Sequence, residues 1–293
     1  MDSGSDGDLP RGIALAWGVA ANPQRGPRRE LTLEGIVDAA VRIADADGLA
    51  SVSMASVSAA LGFTTMSLYR YVSAKDDLVL LMQESGFGLP PLRIGDVGSW
   101  REGLSRWYGA LLDVYARHPW LLDIPLDSEP STPNNLAWLD AGLSLLVATP
   151  LDQVSRVSVL LTLSGHSRWV AQILRNHADP TISAATLAEL ITPEQFPNLA
   201  PAIADGAFAR SDDGSLEFGL LRILDGVELH VAELEAGRRG TIAVIDSEAA
   251  MFRDVAKDER VKKSNERVRD AESNLRDARQ KLREAVAKAR ERR

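Results

Sequence analysis

Between Ser53 and Val72 the stretch SMASVSAALGFTTMSLYRYV holds two short helical runs divided by a single glycine, Gly62. A hydroxyl residue able to cap a helix precedes each run: Ser53 for the first, Thr64 or Thr65 for the second. Runs this short do not persist in water alone, so something must cover them. The preceding stretch supplies the cover. After Thr32 the apolar residues Ile36, Val37, Ala40, Val41 and Ala44 recur at helical spacing until Gly48 ends the pattern. Two short helices joined by a glycine-containing turn and packed on a longer one make a helix-turn-helix unit. Met54, Val57 and Leu61 face inward from the first short helix. Leu68 and Val72, four apart, do so from the second, which is read as Thr65 to Val72. A longer element, KDDLVLLMQES, follows from Ser73 or Asp76.

That inner face leaves Thr65, Ser67, Tyr69, Arg70 and Tyr71 for solvent or a partner. Hydroxyls at a helix N-terminus suit phosphate oxygens, and Ser53 and Thr64 occupy such positions. The same short side chains can reach base edges in a major groove. Tyrosine adds a phosphate-bonding hydroxyl and a flat face for sugar or a thymine methyl. Lys75 is placed for a flanking phosphate. Polar residues on a short helix are also often just a solvated face; the caps and the glycine turn argue against that reading here.

The whole chain carries a net charge of −8, so any nucleic-acid surface is a local patch. Arg25, Arg28 and Arg29 form one small basic cluster, at the end of a segment 1–29 rich in Gly, Pro, Asp and Arg. This segment is expected to be an unstructured arm. Residues 30–85 form the helix-turn-helix domain. A Gly- and Pro-containing boundary at 86–97 leads to a second helical domain, 95–245, with helices over about 99–117, 133–148, 151–177, 182–190 and 215–236. No run of alternating β-branched residues appears, and the fold class is all-α. In the last part, 246–293, Val261, Val268, Leu275, Leu282 and Ala289 repeat every seven residues, with Ala271, Ala278 and Ala285 at the second seam position. One continuous helix is expected over about 246–291. Its thin alanine seam fits pairing with a second copy, packing back, or a solvated helix; a contribution to self-association is preferred. From Arg253 to Arg293 there are 15 Lys+Arg and 9 Asp+Glu, a balance of +6 that gives this segment a further possible contact with DNA.

The second domain carries the aromatics Trp100, Trp107, Tyr108, Tyr115, Trp120, Trp138 and Trp169. Most such residues are core, but Trp and Tyr also line cavities for flat organic molecules. Trp107, Trp138, His166 and Trp169 are the candidate ligand-binding residues, with His166 and Trp169 three apart on one helix and able to face one cavity. His118, Arg168 and His177 are further polar candidates, although His118-Pro119 reads first as a helix end. His166 and His177 have no carboxylate at helical spacing to complete a metal site. No G-x-S-x-G, H-E-x-x-H or Gly-rich phosphate loop occurs, so neither enzyme activity nor metal nor cofactor is expected. With no cysteine and no run of about 18 apolar residues, a cytoplasmic protein without membrane spans is expected.

LGFTTMSLYRYVSAKDDL resembles the recognition region of TetR-family transcriptional regulators. LTLEGIVDAAVRIADADG and LASVSMASVSAALG are similar to that family's first and second helices. HPWLLDIPL, NNLAWLDAGLSLL and EFGLLRILDGVELHV are similar to the regulatory domain of an actinobacterial-type subgroup, so the resemblance covers about 25–236. It implies a homodimeric, all-helical repressor acting on a palindromic double-stranded DNA operator and answering to a small-molecule effector. It makes Thr65, Ser67, Tyr69 and Tyr71 groove contacts and Lys75 a phosphate contact. Ala55 and Ser56 stand where many members carry Arg or Lys, a loss that Arg25, Arg28 and Arg29 would offset by entering a minor groove. A helical scaffold working through the C-terminal heptads, or an enzyme using His166 or His177, are the competing readings.

Overall fold

Helix follows helix along the structure: α1 (Arg11–Ala16), α2 (Leu33–Asp47), α3 (Met54–Leu61), α4 (Thr65–Tyr69), α5 (Lys75–Phe87), α6 (Trp100–Arg117), α7 (Pro133–Leu145), α8 (Gln153–His177), α9 (Leu199–Ala204), α10 (Gly214–Glu235) and α11 (Glu259–Glu291). Single turns of 3-10 helix occur at Leu49–Ser51 and Pro119–Asp123. The computed structural model describes residues 9–19, 31–91, 98–125, 131–177, 186, 189–206, 214–238, 255 and 258–291. They fall into two units, Met1–Arg239 and Gly240–Arg293. No strand occurs among the described residues.

Local chemistry sets the ends of the first helices. The Thr32 hydroxyl accepts from the Gly35 amide at 3.0 Å and starts α2. At α3 the cap is reciprocal: Ser53 Oγ accepts from the Ser56 amide, and Ser56 Oγ accepts from the Ser53 amide. Gly62 then takes the left-handed conformation (φ 75°, ψ 29°), which ends α3 and turns the chain into α4. Ile36, Ala40, Val52, Val57, Leu68, Val72, Leu78 and Met82 are all fully buried and close one core under the turn. As expected, Leu68 and Val72 face inward. Helix α4 stops at Tyr69, however, short of the expected Val72.

The arm expectation needs correction over part of its length. Arg11–Ala16 is helical and packs along α5. Leu15 is buried, Gly12 lies so close to α5 that a Cβ there would press on Asp77, and Trp17 Nε1 donates to the Ser131 carbonyl at 2.9 Å. Six residues are too few for an autonomous helix, so α1 exists by docking. Arg25, Arg28 and Arg29 lie outside the described residues.

Helix α5 joins the two parts of the larger unit. The Glu84 carboxylate accepts from the Asn134 amide at the start of α7, at 2.9 and 3.0 Å, where the helix dipole favours a negative charge. Asn134 Nδ2 donates back to the Glu84 carbonyl, and Trp138 Nε1 donates to the Gly88 carbonyl. A second tie runs from α2. Asp45 Oδ1 accepts from His118 Nδ1 at 2.8 Å and from Trp120 Nε1 at 2.6 Å. His118 does end α6, and Pro119 opens the 3-10 turn after it.

Helices α6 to α10 belong to the rest of the unit. Trp107 is buried between α6 and α7, donating to the Trp138 carbonyl at 2.9 Å with its ring edge-on to Trp138. Arg101 bridges α6 to α10 through Asp225 and Glu228. The expected helix over 182–190 lies mostly outside the described residues.

In the smaller unit the described long helix runs from Glu259, and the expected stretch 246–254 lies outside the described residues. Asp258 Oδ1 accepts from the amides of Arg260 and Val261 and caps it. Val268 and Leu275, two seam positions, are half exposed.

Candidate nucleic-acid interface and ligand cavity

Helix α4 is amphipathic around a single anchor, Leu68. Opposite it project Thr65, Met66, Tyr69 and Arg70, with Met66 at 73% and Tyr69 at 48% exposure. Thr64 and Ser67 are engaged with each other: their hydroxyls lie 2.9 Å apart, and Thr64 Oγ1 accepts from the Ser67 amide. They hold the start of α4, with Thr64 exposed and Ser67 part-buried. Ser53 is similarly committed to its cap. Tyr71 is half-buried against the core. Lys75 is exposed at the first position of α5. Thr65, Tyr69, Arg70 and Lys75 are each exposed, and so is Met66, an apolar side chain for which the sequence suggests no contact. Exposed apolar carbon beside hydroxyls is what a thymine methyl would meet in a major groove.

A cavity of about 490 Å³ lies between α5, α6, α7 and α8. Trp107, Trp138, Phe87 and Tyr115 supply aromatic walls, and Val79, Leu80, Leu111 and Leu139 aliphatic ones. Asp76, Gln83, Asn135, Ser164 and Arg168 bring polar atoms to the lining. Arg168 donates to the carbonyls of Leu121, Leu122 and Ile124 at 2.5–3.0 Å and so ties α8 to the end of the 3-10 turn. It also faces Tyr115. Burial pushes the Tyr115 hydroxyl pKa up, and the Arg168 charge and hydrogen bond pull against that shift.

Trp107 and Trp138 line this cavity; His166 and Trp169 do not. The reason is angular. Leu161, Ser164, Gly165 and Arg168 occupy one stripe of α8, and from its centre His166 lies about 150° and Trp169 about 90° round the helix. The two rings do lie against each other, centroids 5.7 Å apart and tilted by 41°, but on another face, where Trp169 is 55% exposed. The His177 side chain lies outside what the structure describes. Asp76, Gln83 and Phe87 were missed because α5 reads in sequence as part of the helix-turn-helix domain alone. Their spacing with Val79 and Leu80 was the available signal, a second face on an already assigned helix.

His166 instead packs under α10, where a Cβ on Gly219 would overlap its ring. Its Nδ1 lies 2.8 Å from the Tyr108 hydroxyl. Burial lifts the Tyr108 pKa to about 12, so that hydroxyl keeps its proton and can donate to a neutral imidazole. Burial also lowers the His166 pKa from its ordinary 6.5. The unfolded chain therefore binds a proton that the folded chain resists, so stability is full above about pH 6.5 and falls as the pH drops through that value. Thermal melts are expected to show a lower melting temperature at about pH 5.5 than at about pH 7.5 in the native protein, and His166→Gln to reduce that difference.

These two sites can be set beside known proteins. Residues 36–82 match the family model for bacterial regulatory proteins of the tetR family, and residues 95–231 match the tetracyclin repressor-like C-terminal domain. The HTH-type transcriptional repressor DrrR1 of Streptomyces coeruleorubidus is 35% identical over 256 residues, covering 83% of this chain and 92% of that protein. An HTH-type transcriptional regulator of Saccharopolyspora erythraea is 30% identical over 164 residues, 54% of this chain and 68% of that protein. Among solved structures, apo ActR from Streptomyces coelicolor superposes with a TM-score of 0.60 at 25% identity, covering 69% of this chain and 98% of that one. ActR in complex with actinorhodin gives 0.58 at 26% identity, covering 69% and 99%. Family models thus match the helix-turn-helix on one side and the cavity-bearing helices on the other, and the DrrR1 alignment runs through both: the chain belongs to the TetR family of bacterial transcriptional regulators.

Proposed function

We propose that this protein is a ligand-responsive repressor that binds a palindromic operator as a homodimer. The observation that carries the reading is the outer face of α4: hydroxyl, aromatic, thioether and guanidinium groups exposed on a helix too short to be stable except as a displayed element. Each protomer inserts this face into a major groove, and two-fold symmetry makes the operator palindromic. Support for the dimer comes from Trp169 on α8 and Phe218 and Leu229 on the adjoining α10, all exposed apolar side chains. Apolar surface shared by neighbouring helices is what a second copy would bury.

The effector occupies the cavity. ActR, similar in fold, has been solved in complex with (S)-DNPA and with actinorhodin. The cavity of this chain shares a wall, α5, with the core beneath α4. An occupant that fits one position of α5 better than another shifts the spacing of the two recognition helices and releases DNA. The shift can be no larger than the ligand's preference between the two states.

The test is recovery of bound fragments from sheared source DNA at about 0.15 M salt, where non-specific phosphate binding is weakened. A palindromic fragment enriched by the full chain supports the reading. No enrichment would remove it and turn attention to the half-exposed seam of α11 as the working surface of a scaffold.

A further inference from the structure

The charges around the cavity are unequal in what they can still do. Arg168 is spent: three backbone carbonyls and the Tyr115 hydroxyl surround its guanidinium, and it is fixed to α8's own partners. Asp76 is not. It lines the cavity from the first turn of α5, and its carboxylate has no hydrogen-bond or ion-pair partner among the described residues. The neighbouring Lys75 is adjacent in sequence and so does not share its face of the helix. The remaining lining is aromatic or aliphatic, with the neutral amides Gln83 and Asn135 and the hydroxyls of Ser131, Thr132 and Ser164. A carboxylic acid entering this cavity would meet an occupied cation and an unoccupied anion.

We propose that the effector is a flat aromatic molecule bearing a protonated amine, its rings against Trp107, Trp138, Phe87 and Tyr115 and its ammonium group against Asp76. This rests on the reading of the cavity as the effector site. The aromatic walls supply affinity through apolar burial and through the negative faces of their rings, which also favour a cation. Asp76 supplies the choice between cation and anion. Because the carboxylate is at the exposed end of the cavity, its contribution weakens as salt rises.

Three probes of one shape separate the terms: 9-(aminomethyl)anthracene, whose primary ammonium makes it a cation at neutral pH; 9-anthracenemethanol, uncharged; and anthracene-9-carboxylate, an anion. Each is titrated calorimetrically into the purified full chain without DNA, so intercalation does not intrude and the outcome is independent of operator binding. The cation is expected to bind at least ten-fold more tightly than the anion. Asp76→Asn is expected to bring the two within about two-fold while leaving the neutral probe unchanged, with its melting temperature showing that it folds. Ser164→Phe, which fills the cavity from α8, is expected to remove all three. The proposal is overturned if the anion binds as tightly as the cation, if Asp76→Asn leaves their ratio intact, if Ser164→Phe leaves binding intact, or if none of the probes binds. In any of those cases a palindrome recovered from source DNA would still stand, and the repressor reading with it.

Discussion

Tyr69→Ala protein is expected to fold like the native chain and to lose 10- to 100-fold in affinity for its operator. The first half follows from exposure: Tyr69 is half exposed, and the core beneath α4 is closed by Leu68 and Val72 instead. Removing an outward side chain leaves no cavity in the core. The second half follows from what one good base or phosphate contact is worth, about 1–3 kcal/mol of discrimination. The loss should be concentrated in specific binding. Retention of non-specific DNA at low salt should change little, because phosphate attraction is spread over several cations. Fluorescence anisotropy on operator and scrambled duplexes measures both quantities. Equal losses on the two duplexes would mean that Tyr69 grips the backbone and reads no sequence.

Trp107→Ala is expected to cost about 3–5 kcal/mol of unfolding free energy, the range for deleting a buried large aromatic. Three effects combine there. The indole is almost wholly buried, it stands edge-on to Trp138, and its Nε1 satisfies the Trp138 carbonyl. Truncation leaves a void, removes the ring pair and takes the second donor from a carbonyl that keeps its helical bond within α7, a loss of about 0.5–1.5 kcal/mol. A partial offset is available because the void opens into the existing cavity, which water can enter. Urea denaturation followed by circular dichroism gives the value. A loss below about 1 kcal/mol would show that the α6–α7 contact repacks around the missing ring.

The helix-turn-helix was legible because its determinants are local. Thr32, Ser53 and Gly62 act within three or four residues of themselves, and the structure uses each as the sequence suggests. Local signals also existed where the reading went astray. Asp258 stands just before the first heptad residue, Val261, and marks the true start of α11. On α8, residue type points to His166 and Trp169 as cavity groups, while the structure gives the cavity to the stripe of Leu161, Ser164, Gly165 and Arg168. Other features were not legible in principle. Helix α1 is six residues long and owes its shape to α5, which is remote in sequence. Asp76 becomes a cavity residue only when α6, α7 and α8 arrive opposite it.

Helix α5 also bears on how such a protein can diversify. Leu78, Leu81 and Met82 hold the core under the recognition helix, while Val79, Leu80, Gln83 and Phe87 wall the cavity a fraction of a turn away. A substitution on either face moves the same rigid rod. Lineages that acquire a new effector should therefore accumulate their changes on α7, on α8 and at Asp76 on the rim, and leave the core face of α5 nearly untouched. Libraries aimed at new effectors should follow the same rule: randomising Asn135, Leu139, Leu161, Ser164 and Asp76 explores chemistry, whereas randomising Leu78, Leu81 and Met82 mostly disturbs the core under α4.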